Sequence, residues 1–131
     1  MGSWTVLDKD SPAHGMHDVY ALKTTVQAFR ATGTFPDGAV LVKEIRTFET
    51  ATLTTGNFAY AGKQAVCYVM VKDSTGRFEG KNSLWAEGWG WAMFKADNPQ
   101  KQVAEFFEVS CMGCHTPVAK TDWVFQSGTP P

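Results

Sequence analysis

The stretch AVLVKEIRTF, Ala39 to Phe48, follows the turn-forming Pro36-Asp37-Gly38 and is rich in β-branched residues. Such a run reads as a strand, and a strand sends successive side chains to opposite faces. Ala39, Leu41, Lys43 and Ile45 then share one face, and Val40, Val42, Glu44 and Arg46 share the other. Lys43 therefore sits on a hydrophobic face. An amine there is costly unless it is paired, neutral, ligating or covalently used. The plain alternative is a stem that runs along apolar surface and leaves its ammonium in water.

Working outward, residues 16–31, MHDVYALKTTVQAFRA, place Met16, Val19, Leu22, Val26 and Phe29 at spacings of three and four. This periodicity predicts an amphipathic helix that stops before Gly33. Residues 64–72, QAVCYVMVK, and 85–95, WAEGWGWAMFK, read as two more strands, with Asp73-Ser74-Thr75-Gly76 and Glu79-Gly80-Lys81-Asn82 as turn chemistry. An antiparallel meander is expected. In Gly88-Trp89-Gly90-Trp91 one face of the strand is nearly bare, so that a flat ring or another backbone can approach, a bulge or ordinary aromatic core being the alternative. Asn98-Pro99 carries the signals of a helix start, and KQVAEFFEVS continues with Val103, Phe106, Phe107 and Ser110 on one side. The tail from Phe125 to Pro131 reads as a fraying end.

The whole chain, residues 1–131 at 14.4 kDa and 44% hydrophobic with nine Phe and five Trp, is the size of one domain with one core. Its 12 basic and 13 acidic residues, net charge −1, give no reason to expect nucleic acid or an acidic membrane surface as partner. Apolar runs such as Ala39–Val42 and Ala65–Val71 fall far short of the ~20 residues a membrane helix needs, so a soluble protein is expected.

The second predicted helix runs into Cys111-Met112-Gly113-Cys114-His115, which matches C-x-x-C-H, the attachment pattern of c-type haem. With two residues between them on a helical turn, both thiols reach vinyl groups on one edge of a porphyrin, and the adjacent imidazole binds the iron from beneath. Gly113 keeps the backbone slim where the ring would lie. A thioredoxin-like redox pair would require a βαβ setting that this order of elements lacks. A structural zinc site would need two more ligands from Cys67, His14 and His17, without a second paired motif. Cys67 reads as a small apolar residue of a buried strand, and His14 and His17 as surface residues that are secondary candidates for the iron. On the face opposite His115, Met16, Met70, Met93 and Met112 are the methionines available to an electron carrier, each of them more often core filler.

The chain opens MGSW, without the basic, apolar and small-residue sections of a secretory signal. Haem attached through cysteines is normally assembled outside the cytoplasm, so a periplasmic location is expected, from a precursor whose signal has been removed.

Taken together, AFRATGTFPDG, AVLVKEI, VKDSTGRF, WGWAMF and CMGCHTPVAKTDWVF resemble, in content and order, the cytochrome P-460 and cytochrome c′-β group over roughly residues 19–125. The resemblance implies an α+β fold, mainly antiparallel β-sheet with a few helices. It implies one haem c packed against the sheet and held through Cys111, Cys114 and His115, and usually a homodimer in a bacterial periplasm. In the P-460 branch the lysine matching Lys43 is joined through its amine to a haem meso carbon, and such proteins oxidise hydroxylamine. In the c′-β branch the haem is five-coordinate, is capped by aromatic side chains, for which Phe29 and Phe58 are the candidates here, and binds nitric oxide and carbon monoxide. The chain is shorter than typical P-460 proteins, and only Glu105 and Glu108 offer themselves as that branch's proton-transferring carboxylate. The c′-β reading is favoured. The crosslinked enzyme, and a His/Met-ligated carrier serving a soluble redox partner, stay open as alternatives.

Overall fold

The computed structural model describes residues 1–125; the segment 126–131, most of the tail read above as a fraying end, lies outside the described residues. The fold is α+β, dominated by one antiparallel sheet. Its strands are β1 (Gly2–Val6), β2 (Gly15–Ala21), β3 (Val40–Leu53), β4 (Gly56–Lys72), β5 (Trp85–Ala86), β6 (Trp89–Lys95) and β7 (Asn98–Gln102). They are ordered β1-β2-β3-β4-β6-β5, with β7 also paired to β6. A helix α1 (Lys23–Thr32) lies between β2 and β3. Two single-turn helices, α2 (Phe107–Ser110) and α3 (Met112–His115), lead into a 3₁₀ segment, Thr116–Thr121. Among the described residues no helix is long and apolar enough to cross a membrane.

The expected strand at Ala39–Phe48 is present and longer, ending at Leu53, and the one expected at 64–72 begins already at Gly56. Register shifts at Ile45/Arg46 and Arg46/Phe48 separate the sheet proper from an exposed two-stranded ribbon closed by Thr54-Thr55. The expected strand at 85–95 is instead a hairpin. Glu87 and Gly88 both have positive φ, 57° and 74°, the backbone of a two-residue turn whose twist matches that of the flanking strands.

Two helix expectations fail for identifiable reasons. Residues 16–21 are strand, paired with β3 from Met16↔Arg46 to Ala21↔Leu41. Gly15, His17 and Val19 alternate as buried positions, an alternation masked because histidine counts as polar in a hydrophobic pattern. The helix begins only at Lys23, and it ends where expected, with Gly33 left-handed and its N–H on the Phe29 carbonyl at 2.7 Å. Asn98-Pro99 starts no helix; the two residues open β7 after an Ala96-Asp97 turn. Proline lacks an N–H, and an edge strand does not need one there. The predicted second helix shrinks to the four residues Phe107–Ser110.

Directly paired residues of antiparallel strands share a face, so the register divides the inner face of the sheet into rows. Ala21, Leu41, Met70 and Trp91 form one row; Val19, Lys43, Tyr68 and Met93 form the next; His17, Ile45 and Val66 form a third. The first row is core. Leu41, Met70 and Trp91 pack there with Phe35, Ala39, Trp89, Phe107, Cys111 and Val124. The flat ring that the bare face at Gly90 admits is an indole: a Cβ at Gly90 would lie 2.6 Å from the Trp85 ring.

Gly15 lets β2 cross β3 closely. With φ +142°, it would place a Cβ 2.5 Å from the Arg46 carbonyl oxygen and 2.8 Å from Ile45 Cγ2. Gly15→Ala therefore destabilises the protein by at least about 2 kcal/mol, read as a lowered urea midpoint with an unchanged m-value.

Candidate haem site

Val19, Lys43, Tyr68 and Met93 of the second row, His17 and Ile45 of the third, and the bordering Leu41, Met70 and Trp91 of the first form the floor of a cavity of roughly 580 Å³, within the ~300–1,000 Å³ usual for small-molecule and cofactor sites. Trp4, Val6, Pro12 and Ala13 close it at the β1 end, and Val109 to Cys111, Cys114, His115, Val124 and Phe125 cover it from the C-terminal segment. The walls are overwhelmingly apolar. His17, Lys43, Tyr68, Cys111, Cys114 and His115 are the ionisable side chains that line them.

Cys111 is buried and Cys114 exposed, both are free thiols, and α3 carries Cys114 and His115 on the turn after Cys111. Burial pushes the Cys111 thiol up to about 11, with Lys43 pulling against it. That is opposite to the acidified thiol a disulfide-exchange enzyme requires. Cys67 pairs with Glu44 and Phe94, so it lies on the outer face of the sheet. It cannot join Cys111 and Cys114 around a zinc ion, and among the described residues no three His, Cys, Asp or Glu groups converge as metal ligands. The space beside Gly113 is open, with no heavy atom of the described residues within 4 Å of an added Cβ apart from its own chain neighbours and helix backbone.

The His115 ring is held with one nitrogen engaged and the other free. Its Nδ1–H donates to the Trp123 carbonyl at 2.7 Å, which leaves the Nε2 lone pair free. Trp91 and Phe125 meet its ring edge-on, at centroid distances of 4.8 and 5.6 Å. Burial lowers its pKa to about 4, against the hydrogen bond to Trp123 and with help from the Lys43 charge, so the ring is neutral at physiological pH. The chain reverses after the 3₁₀ segment through Asp122 and Trp123, at φ 57° and 62°. Left-handed backbone costs roughly 1–2 kcal/mol per non-glycine residue, so this turn persists only because its surroundings hold it.

Lys43 lies where the alternation placed it. Its Nζ sits 4.6 Å from the centroid of Tyr68, its cross-strand partner, in cation–π contact. Burial lowers its pKa, and the thiols of Cys114 and Cys111 oppose this. Met70 and Met93 line the cavity; Met16 and Met112 do not. Phe29 and Phe58 are not brought together over the cavity. Phe29 stacks on Phe35 at 4.3 Å against the core row, and Phe58 stands on the β3–β4 ribbon, stacked on Tyr60 at 5.5 Å. Glu105 and Glu108 are exposed and outside the lining.

Sequence reading placed His17 at the surface; it is 3% exposed and lines the cavity. Its Nε2–H donates to the Ala13 carbonyl at 2.6 Å, the ring packs against Trp4, and Nδ1 is buried without a partner among the described residues. The period-two spacing with Gly15 and Val19 was the signal available for it. Burial lowers its pKa; the Ala13 hydrogen bond opposes this and Lys43 adds to it. A folded pKa below the unfolded value of ~6.5 means that the unfolded chain takes up the proton first. The stability tied to neutral His17 is thus present above about pH 6.5 and fades as pH falls toward the folded pKa, by at most about 1.4 kcal/mol per pH unit. His17→Gln, which does not titrate, flattens that acid-side loss, as urea midpoints between pH 7 and 5 will show.

Two thiols and a neutral imidazole on one apolar cavity suit a covalently held haem, with Cys111 and Cys114 for the vinyl edge and His115 Nε2 for the iron. No curated protein matches the chain. The model of the family described as Cytochrome P460 matches residues 2–126, almost the entire length and the whole of this sheet and cavity. The chain therefore belongs to the cytochrome P460 family of c-type haem proteins.

Proposed function

We propose that the protein carries one haem c, joined by thioethers to Cys111 and Cys114 and ligated by His115, and that it binds a small uncharged gas, nitric oxide or carbon monoxide, on the opposite face of the iron. The observation that carries this reading is the lining of the cavity. Apolar side chains dominate it, and no carboxylate is among its described residues. Such walls exclude water and offer little to a charged ligand, whereas a diatomic gas needs only space and an open iron position. The haem, when bound, supplies that position. Val19, Met70, Met93 and Trp91 shape the space, and the Lys43 stem runs through it with its amine held against Tyr68. A periplasmic site of action follows from where such thioethers form. The homodimer that the resemblance implies has a surface to draw on in the ribbon, where Leu53, Phe58 and Tyr60 are exposed.

A second reading, hydroxylamine oxidation with Lys43 bonded to the ring, draws support from one observation. The influences that keep Lys43 charged are the Cys114 and Cys111 thiols, and conversion to thioethers removes their ability to ionise. The amine then tends further toward its neutral, nucleophilic form. Against this, oxidation of hydroxylamine releases protons that a base must accept, and the expected carboxylates Glu105 and Glu108 lie outside the cavity.

Optical spectroscopy with intact-mass analysis of the holoprotein decides between them. The expected result is a ferrous spectrum that changes with carbon monoxide and nitric oxide, a mass showing no bond at Lys43, and gas binding that survives Lys43→Leu. A strongly red-shifted ferrous Soret band with further hydrogen loss from the mass would establish the crosslinked enzyme instead. A low-spin spectrum indifferent to carbon monoxide would establish methionine ligation, with Met70 and Met93 as the ligands within reach. The double variant Cys111→Ala/Cys114→Ala loses all haem under denaturing electrophoresis, whereas either single variant keeps one thioether.

A further inference from the structure

The hydrogen bond from His115 Nδ1 ends on a carbonyl whose direction is set by two consecutive left-handed residues, Asp122 and Trp123. Neither is a glycine, and tryptophan in this region is unusual. Three distant parts of the chain converge on Asp122 to hold it there. Lys72, at the end of β4, donates to Oδ1 at 2.5 Å; the Phe35 N–H donates to Oδ2 at 3.0 Å; and the indole N–H of Trp89, fully buried at the start of β6, donates to the Asp122 carbonyl at 3.0 Å. The Lys72 ammonium also lies 4.7 Å from the Trp89 ring centroid, so anchor and counter-charge pack as one unit. Both charged side chains are largely out of water, at 10% and 13% exposure.

We propose that Asp122, held by Lys72, is a positioning residue for the iron ligand. It fixes the left-handed turn, the turn aims the Trp123 carbonyl, and the carbonyl fixes the tautomer and orientation of His115. A hydrogen bond at the far nitrogen raises the basicity of a ligating histidine. The Lys72–Asp122 pair thereby strengthens donation from Nε2 and favours the oxidised metal, although neither residue lines the cavity. The inference rests on His115 as the axial ligand and not on which small molecule binds opposite it.

The reduction potential of the holoprotein without added ligand provides the test, because a positioning role and a plain charge effect predict different signs. Removal of a negative charge by Asp122→Asn raises the potential on either account. Removal of a positive charge by Lys72→Met lowers it if only Coulomb's law acts, but raises it if the turn relaxes and the His115 hydrogen bond weakens. The expected result is an upward shift in both variants, with a downward shift of the iron–histidine stretching frequency in the ferrous protein, and a return toward wild-type values in Lys72→Arg. A downward potential shift in Lys72→Met, or a lowered melting temperature with potential and frequency unchanged, would overturn the proposal. Should Asp122→Asn fail to fold, Lys72→Met and Lys72→Arg still give the sign. Failure of nitric oxide or carbon monoxide to bind would count against the gas-binding reading alone, since these measurements use neither gas.

Discussion

In-register antiparallel pairing of β2, β3, β4 and β6 is the constraint from which the rest of the structure follows. Strand side chains alternate with a period of two, so a slip of one residue would exchange the inner and outer faces of the sheet. With the observed register, Leu41, Met70 and Trp91 face the C-terminal segment as core, and Lys43, Tyr68 and Met93 line the cavity one step along. Core and cavity thus share one surface, with Leu41, Met70 and Trp91 bordering both. The core row anchors Phe107 and Cys111, and that anchoring brings Cys114 and His115 over the cavity row. The two cysteines differ in burial as a result: Cys111 belongs to the core, and Cys114, on the next turn, lines the open cavity and stays exposed.

Much of this was legible in local chemistry. The alternation of Ala39–Phe48 identified the strand, its inward lysine and the face they share. C-x-x-C-H marked the turn that brings Cys111, Cys114 and His115 to one cavity, and Gly33 the end of the helix. What was not legible follows a pattern. Residues 16–21 satisfy helical spacing through Met16, Val19 and Leu22, and only pairing with β3 shows that His17 is an inward residue. Asn98-Pro99 bears helix-start chemistry, yet β6 offers it an edge to pair with. In each case tertiary pairing overrode a local preference of a fraction of a kcal/mol per residue. Phe29 and Phe58 show the same limit for the site: an aromatic at the end of a helix or in a strand carries no record of which surface it will meet. Asp122 lay within the AKTDWVF run, but its partners Phe35, Lys72 and Trp89 are 33 to 87 residues away in sequence, so these contacts appear only in the folded chain.

Several groups in and around the cavity are held in states that an isolated chain would not choose. His17 keeps a nitrogen without a partner among the described residues, Lys43 keeps an amine partly out of water, and Asp122 and Trp123 keep left-handed backbone. Each such feature costs on the order of 1–3 kcal/mol, a substantial share of the 5–15 kcal/mol net stability typical of a domain. The opposing contribution is concentrated where the burial is deepest, in Trp89, Phe35, Leu41 and Phe107. Trp89 links the two sides: its ring fills the core while its N–H holds the Asp122 carbonyl. The rigidity of the Asp122–Trp123 turn is therefore tied to the packing of the core, and a change in either must be felt at His115, which bonds to the Trp123 carbonyl.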